Sequence, residues 1–367
     1  MRMNKFAILF LLILSLFVHL PAAAQDYFKN GGEPGKTYLL MAHPTVENIK
    51  TMKYLIDNNI LFVGETEIVG IYYSFENYNY NQSIEYIRDN ELSRFHLQHL
   101  TGMLRPDNIF TENDFSSNFE ILFQQTLGIF FMGGSDIQPE LYGEENQYAV
   151  VTDPYRHLFE LSLLFHLLGG PQNPEFVPLL ESNPKYFIAG FCLGMQSMNV
   201  ATGGSLIQDI PSEIYEIDDP AEIVQLDNNK IHRNYWQEIF ENDQLMTTNF
   251  HPLQLAENGF FKNDVKWRST VSPPVLSSHH QAIENLNDCW EITAWSMDKK
   301  VIEGIRHKKY PNVFGVQFHP EVTALFEPGD ALIFSPSDQP RTYFDRIGEE
   351  GAKFHKRLWR YISKSIQ

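Results

Sequence analysis

The stretch Gly190-Phe191-Cys192-Leu193-Gly194-Met195-Gln196 constrains this chain more than any other. Before it, Tyr186 to Ala189 is aromatic and aliphatic and reads as a buried strand; after it, Met195 to Ala201 reads as a helix closed by Gly203-Gly204. A cysteine is thereby held at a strand-to-helix junction between two glycines, the layout of a nucleophile elbow, where small neighbours let strand and helix pack closely. The sulfur would then lie near the positive end of a helix, which favours a thiolate. The backbone N–H of Leu193 would face the oxyanion of any carbonyl that the thiolate attacks. Gly-x-Cys-x-Gly alone fits a small core cysteine beside packing glycines equally well, so the remaining segments must decide.

Those segments alternate between strand and helix patterns. Thr37 to Ala42 reads as a first buried strand, Val46 to Asp57 as a helix, Ile60 to Val63 and Glu67 to Ser74 as β-prone runs. Such alternation predicts an α/β fold: an open, mostly parallel sheet with helices on both faces. Phe75 to Ser117 is rich in Tyr, Asn and Asp, and a helix is expected around Ile84 to Leu104. On that helix His96 and His99 would share a face, but no acidic or cysteine ligand completes a metal site, so they read as packed or solvent-facing histidines. Clearer signals resume at Leu127 to Met132, an apolar strand running into Gly133-Gly134-Ser135-Asp136. Paired glycines there allow backbone amides to approach a ligand, and in open parallel sheets ligands bind beyond the carboxyl ends of strands. Asp153 and Pro154 mark a helix start, with Arg156 and Glu160 as a structural pair one turn apart. Beyond the elbow helix, Ile210 to Leu253 is polar and irregular, and Ser277-Ser278-His279-His280-Gln281 is a polar loop. Glu291 to Ser296 and Val301 to Arg306 read as adjacent strands, and Tyr343 to Ile362 as a helix.

A cysteine nucleophile needs a base, and the base needs an orienting group. Among 13 histidines the best placed is in Phe314-Gly315-Val316-Gln317-Phe318-His319-Pro320-Glu321, where an apolar strand ends in His-Pro-Glu. Proline stops the strand, and the two-residue spacing sets His319 and Glu321 on one side of the chain. The elbow, the double-glycine loop and this tripeptide each fall at the carboxyl end of an expected strand, as a shared site requires.

The first 24 residues carry Arg2 and Lys5, an apolar run from Phe6 to Leu20, and Pro21-Ala22-Ala23-Ala24 before Gln25. That is the pattern of a cleaved signal peptide, which leaves 25–367 as a single domain, exported to the periplasm or secreted, with no stable membrane span. A formal net charge of -18 argues against nucleic acid and anionic membrane surfaces as partners. It does not disfavour a small substrate, and it leaves a homo-oligomer open. In an oxidising compartment Cys192 and Cys289, the only two cysteines, would pair if geometry allowed. A catalytic Cys192 therefore requires that they lie apart.

Taken together, these motifs resemble the class I glutamine amidotransferase-like superfamily and, within it, the gamma-glutamyl hydrolases. The likeness runs from about Leu127 to Glu321 and is strongest to bacterial gamma-glutamyl-gamma-aminobutyrate hydrolases. It rests on Gly133 to Pro139 with Leu141 to Glu144, on Asp153 and Arg156, on Ala201 to Leu206, and on His279-His280-Gln281. The resemblance implies Cys192 as nucleophile, His319 as base and Glu321 as orienting acid. It also implies oxyanion donors at the amides of Gly134 and Leu193, with Gln196 and His280 near a small gamma-glutamyl substrate, and no metal or organic cofactor. Leu193 departs from the arginine that the gamma-aminobutyrate enzymes carry after the nucleophile, so the bond class transfers better than the amine released. A folate polyglutamate hydrolase, a glutaminase subunit serving a synthetase, and a non-catalytic binding protein on the same fold stay open as alternatives.

Overall fold

The computed structural model describes Tyr27, Phe28 and residues 31–367. The expected signal peptide lies outside the described residues. Among those residues, no helix is long and apolar enough to cross a membrane.

The architecture follows from runs of apolar residues that alternate between two faces. In β1 (Tyr38–Ala42), Leu40 and Ala42 face one hydrophobic layer, while Leu39 and Met41 face the other. Burial on both faces is what a parallel sheet demands, and it explains why these strands are apolar throughout. The first layer is filled by α3 (Ser116–Gln125), α4 (Pro154–Leu168) and α5 (Leu193–Ala201). The second is filled by α1 (Val46–Asp57) and by the C-terminal helix Tyr343–Ser365, which breaks at Gly348, where φ is 63°. The helices thus lie on both faces, as expected.

The nine-stranded sheet has β2 (Glu67–Tyr73) and β3 (Phe95–Leu100) outside β1, then β4 (Gly128–Phe131) and β5 (Phe187–Phe191) on its other side. The strand Val313–Val316 comes next and pairs in parallel with β5. From there the sheet turns antiparallel through Ile302–His307, Trp290–Trp295 and Gln254–Leu255. The switch sets β4, β5 and Val313–Val316 side by side, with their carboxyl ends at one edge.

Two expectations fail. Ile60 to Val63 forms no strand: β1 is already flanked by β2 and β4, and Phe62 is 56% exposed. Its N–H instead donates to Ser363 Oγ of the C-terminal helix at 2.9 Å. The helix expected at Ile84 to Leu104 is a helix and a strand, α2 (Asn81–Asp89) and β3, separated by Asn90 as helix cap and Glu91 at φ 51°. His96 and His99 therefore share no helix face; His96 Nε2 lies 2.8 Å from Glu67, and His99 stacks on Tyr72.

Candidate active site

Cys192 sits at φ 51° and ψ -108°, a conformation that costs a non-glycine residue of order 1–3 kcal/mol and that surrounding structure must enforce. The enforcement is visible. Its N–H donates to Val316 O at 2.9 Å, extending the β5 ladder past the strand end, while its carbonyl accepts from Met195 and Gln196 as the first turn of α5. The flanking glycines are required by space. A Cβ on Gly194 would lie 2.3 Å from the carbonyl oxygen of Phe131 in β4, and one on Gly190 would lie 2.6 Å from the Gly194 backbone.

His319 follows Val313–Val316 across Gln317 and Phe318, and its N–H donates to Leu276 O at 2.9 Å. Its Nδ1 lies 2.7 Å from Glu321 Oε1. The other side of the ring meets the Cys192 sulfur, and both side chains border Gly133. A Cβ on Gly133 would stand 2.9 Å from His319 Cε1 and 3.7 Å from Cys192 Cβ. Burial works against a charge on His319, but Glu321 and then the Cys192 sulfur more than offset it, so the imidazole titrates well above its usual range. Pro320 is held from behind: Trp359 Nε1 of the C-terminal helix donates to its carbonyl at 2.8 Å.

The double-glycine loop rests on a buried charge network that the sequence did not reveal. Arg156 Nη2 donates to Gly133 O at 2.9 Å and to Met132 O at 3.3 Å, and its Nε lies 3.8 Å from Glu160. Glu160 meets His43 Nε2 at 2.8 Å, and His43 Nδ1 meets Glu76 at 2.8 Å. Burial disfavours the charges on His43, Glu76 and Glu160, yet mutual pairing prevails: both carboxyls are held below their usual range and His43 above its own. Two basic and two acidic side chains thus pair in a chain running from Glu76 to Arg156. Of this set only the Arg156–Glu160 spacing was legible, because His43 and Glu76 come from separate strand ends.

The remaining expected residues fall into two groups. Leu193 is the first residue of α5, directly after the sulfur, and Gly134 follows Gly133, the neighbour of Cys192, and packs against the Arg156 guanidinium. Gln196, by contrast, is buried and directs its amide inward, to Gln281 O and Gln317 Oε1, both at 3.3 Å. His280 bridges Asp209 and Asp136 at 3.0 and 2.9 Å, and borders a cavity of about 660 Å³ that adjoins the double-glycine loop through Ser135 and Asp136. Both cysteines are free thiols, and burial pushes the half-buried Cys289 up to about 11.

A parallel sheet that presents a strained cysteine against a His–Glu pair at its carboxyl edge defines a cysteine-type amidohydrolase scaffold. The Peptidase C26 family model matches residues 109–321, more than half of the chain, and the chain belongs to that family. It is 30% identical over 210 residues to the glutamine amidotransferase-like protein YvdE of Lactococcus lactis, covering 56% of this chain and 70% of that one. It is also 30% identical over 207 residues to protein NtpR of Enterococcus hirae, covering 55% and 70%. A glutamine-hydrolysing GMP synthase subunit of Methanococcus vannielii matches at 30% over 172 residues, 46% of this chain and 68% of the relative.

Proposed function

We propose that this chain hydrolyses gamma-glutamyl amide bonds through a thioester. The observation that carries the reading is the His319 imidazole, which borders Gly133 together with Cys192, owes part of its charge to that sulfur, and lies 2.7 Å from Glu321. In this reading the Cys192 thiolate attacks the side-chain carbonyl, and the amides of Gly134 and Leu193 take the oxyanion, each typically worth ~3 kcal/mol. As the C–N bond breaks, the His319 imidazolium gives its proton to the departing amine, leaving a glutamyl thioester. His319 then removes a proton from water, the hydroxide attacks the thioester, and Cys192 leaves as thiolate with glutamate released. Glu321 holds the ring so that one nitrogen faces the sulfur throughout.

The basic and apolar start of the chain supports export, which would bring the site to extracytoplasmic gamma-glutamyl compounds. The test is glutamate release from a panel of gamma-glutamyl amides, peptides and free glutamine, with the native chain and Cys192→Ala. Release should vanish in the variant while its circular dichroism is unchanged, and undiminished turnover would refute the mechanism. Similarity to a glutamine-hydrolysing synthase supports a second reading, glutaminase action for a partner. Turnover confined to glutamine would select it.

A further inference from the structure

Beyond Cys192, His319 and Glu321, the described residues gather a second constellation. His232, His251, His279 and Glu303 each offer one ligand atom, and these atoms all lie within 4.8 Å of one another. All four side chains are buried, Glu303 completely. Glu303 Oε1 lies 3.0 Å from His232 Nδ1 and 3.7 Å from the Nε2 atoms of both His251 and His279. These are ion-pair distances without good hydrogen-bond geometry: both Glu303 oxygens, both His232 nitrogens and the Nε2 atoms of His251 and His279 are buried with no well-aligned hydrogen-bond partner. Polar atoms left buried and unpaired in such number are costly to a fold unless something satisfies them. Atoms that crowd together without bonding to one another are those that converge on a common point.

We propose that these four residues bind a divalent transition metal, zinc by the preference of three imidazoles and a carboxylate, in a closed structural site. Metal–ligand bonds of about 2.1 Å in a tetrahedron separate the ligand atoms by roughly 3.4 Å, within the range seen around Glu303. The outer contacts also fit. His279 Nδ1 lies 2.7 Å from Gln281 O and His251 Nδ1 lies 3.2 Å from Pro252 O. With those nitrogens donating outward, each Nε2 turns a lone pair inward, as ligating histidines require. The backbone braces the same point, since His232 O accepts from Ser277 Oγ at 2.7 Å and from His279 N at 3.1 Å.

The four ligands leave no open position for substrate, so the role is to hold the fold. His232 belongs to the irregular segment between the elbow helix and the antiparallel strands, His251 to the short strand Asn249–Pro252 that follows it, Glu303 to the strand Ile302–His307, and His279 to the loop that carries His280. The ion therefore ties the irregular segment to the sheet and to the loop whose Gln281 carbonyl receives Gln196 of α5. None of its four ligands is among Cys192, His319 and Glu321, and it does not depend on the function proposed for those three.

The experiment strips the full chain with a chelator, restores it with zinc, desalts it and measures metal by plasma mass spectrometry. The native chain should retain about one equivalent, as four protein ligands specify, while His251→Gln and Glu303→Gln retain almost none and His96→Gln is unaffected. Because a ligand variant could fail to fold, the stripped native chain is also titrated with Co2+, whose tetrahedral site absorbs strongly in the visible and is bleached by zinc. Zinc should raise the melting temperature of the native chain alone. A native chain that retains no zinc and develops no cobalt absorption overturns the proposal, as does equal retention by folded Glu303→Gln.

Discussion

At the residue scale, function and geometry meet in His319. Its charge is sustained chiefly by Glu321, against the opposing effect of burial, so the carboxylate both aims the ring and keeps it protonated. Glu321→Gln should therefore lower kcat by about 10²- to 10⁴-fold with little change in KM, because the substrate does not need the acid to bind. The pH profile separates orientation from charge. The imidazolium donor is lost as pH rises through the His319 pKa, so a variant with a lower pKa should lose activity at lower alkaline pH than the native chain. An unmoved alkaline limb would assign Glu321 a purely steric role. The glycines at the elbow make a complementary prediction about stability. Gly194→Ala drives a methyl to 2.3 Å from the Phe131 carbonyl, backbone against backbone, with no side chain free to give way. It should destabilise the fold by about 3 kcal/mol, read as a lower denaturant midpoint. Both glycines and the cysteine were legible in the sequence because a nucleophile elbow is a local device. The charge network of His43, Glu76, Arg156 and Glu160 was not, because it joins three elements by contacts over as many as 117 residues of sequence.

At the scale of elements, the C-terminal helix is the least local support of the site. Trp359 is fully buried, and its indole N–H donates to the carbonyl of Pro320, between base and acid. Trp359→Phe retains most of the apolar ring but leaves that carbonyl without its donor. The expected outcome is a loss of about 1–3 kcal/mol in stability and a fall in kcat larger than any change in KM. A kcat equal to that of the native chain would confine the helix to packing. The helix itself was readable from its periodicity, as were β1, β4, β5 and Val313–Val316 from their unbroken apolar runs. Periodicity misled where it was short or mixed. Ile60 to Val63 has strand composition but no free edge to join, and β3 alternates buried and half-buried residues closely enough to pass for a helical stripe. Asn90 and Glu91, a cap followed by a left-handed residue, are the local signal that should have divided it.

At the scale of the whole molecule, the parallel half and the later, irregular half must be held together across the crevice. His280 does part of this. It stands between Asp136, after β4, and Asp209, which caps the helix Ile210–Tyr215, and its side chain is 16% exposed. Burial and the nearby Arg233 oppose its charge, but hydrogen bonds to the two aspartates outweigh them and raise its pKa from 6.5 to about 9. A histidine whose folded pKa is raised stabilises the fold fully below its unfolded value and loses that contribution as pH climbs through the folded one. The clamp should thus be complete below pH 6.5 and fade between there and about 9. Its full strength is on the order of 3 kcal/mol by linkage. Comparing unfolding free energies of the native chain and His280→Gln across that window tests this directly. The gap between them should be widest at the acid end and narrow towards pH 9. A gap that stays constant with pH would mean that His280 acts as a neutral hydrogen-bonding spacer. In that case the two aspartates would have to find their compensation elsewhere, with Arg233 a cation bordering the same cavity.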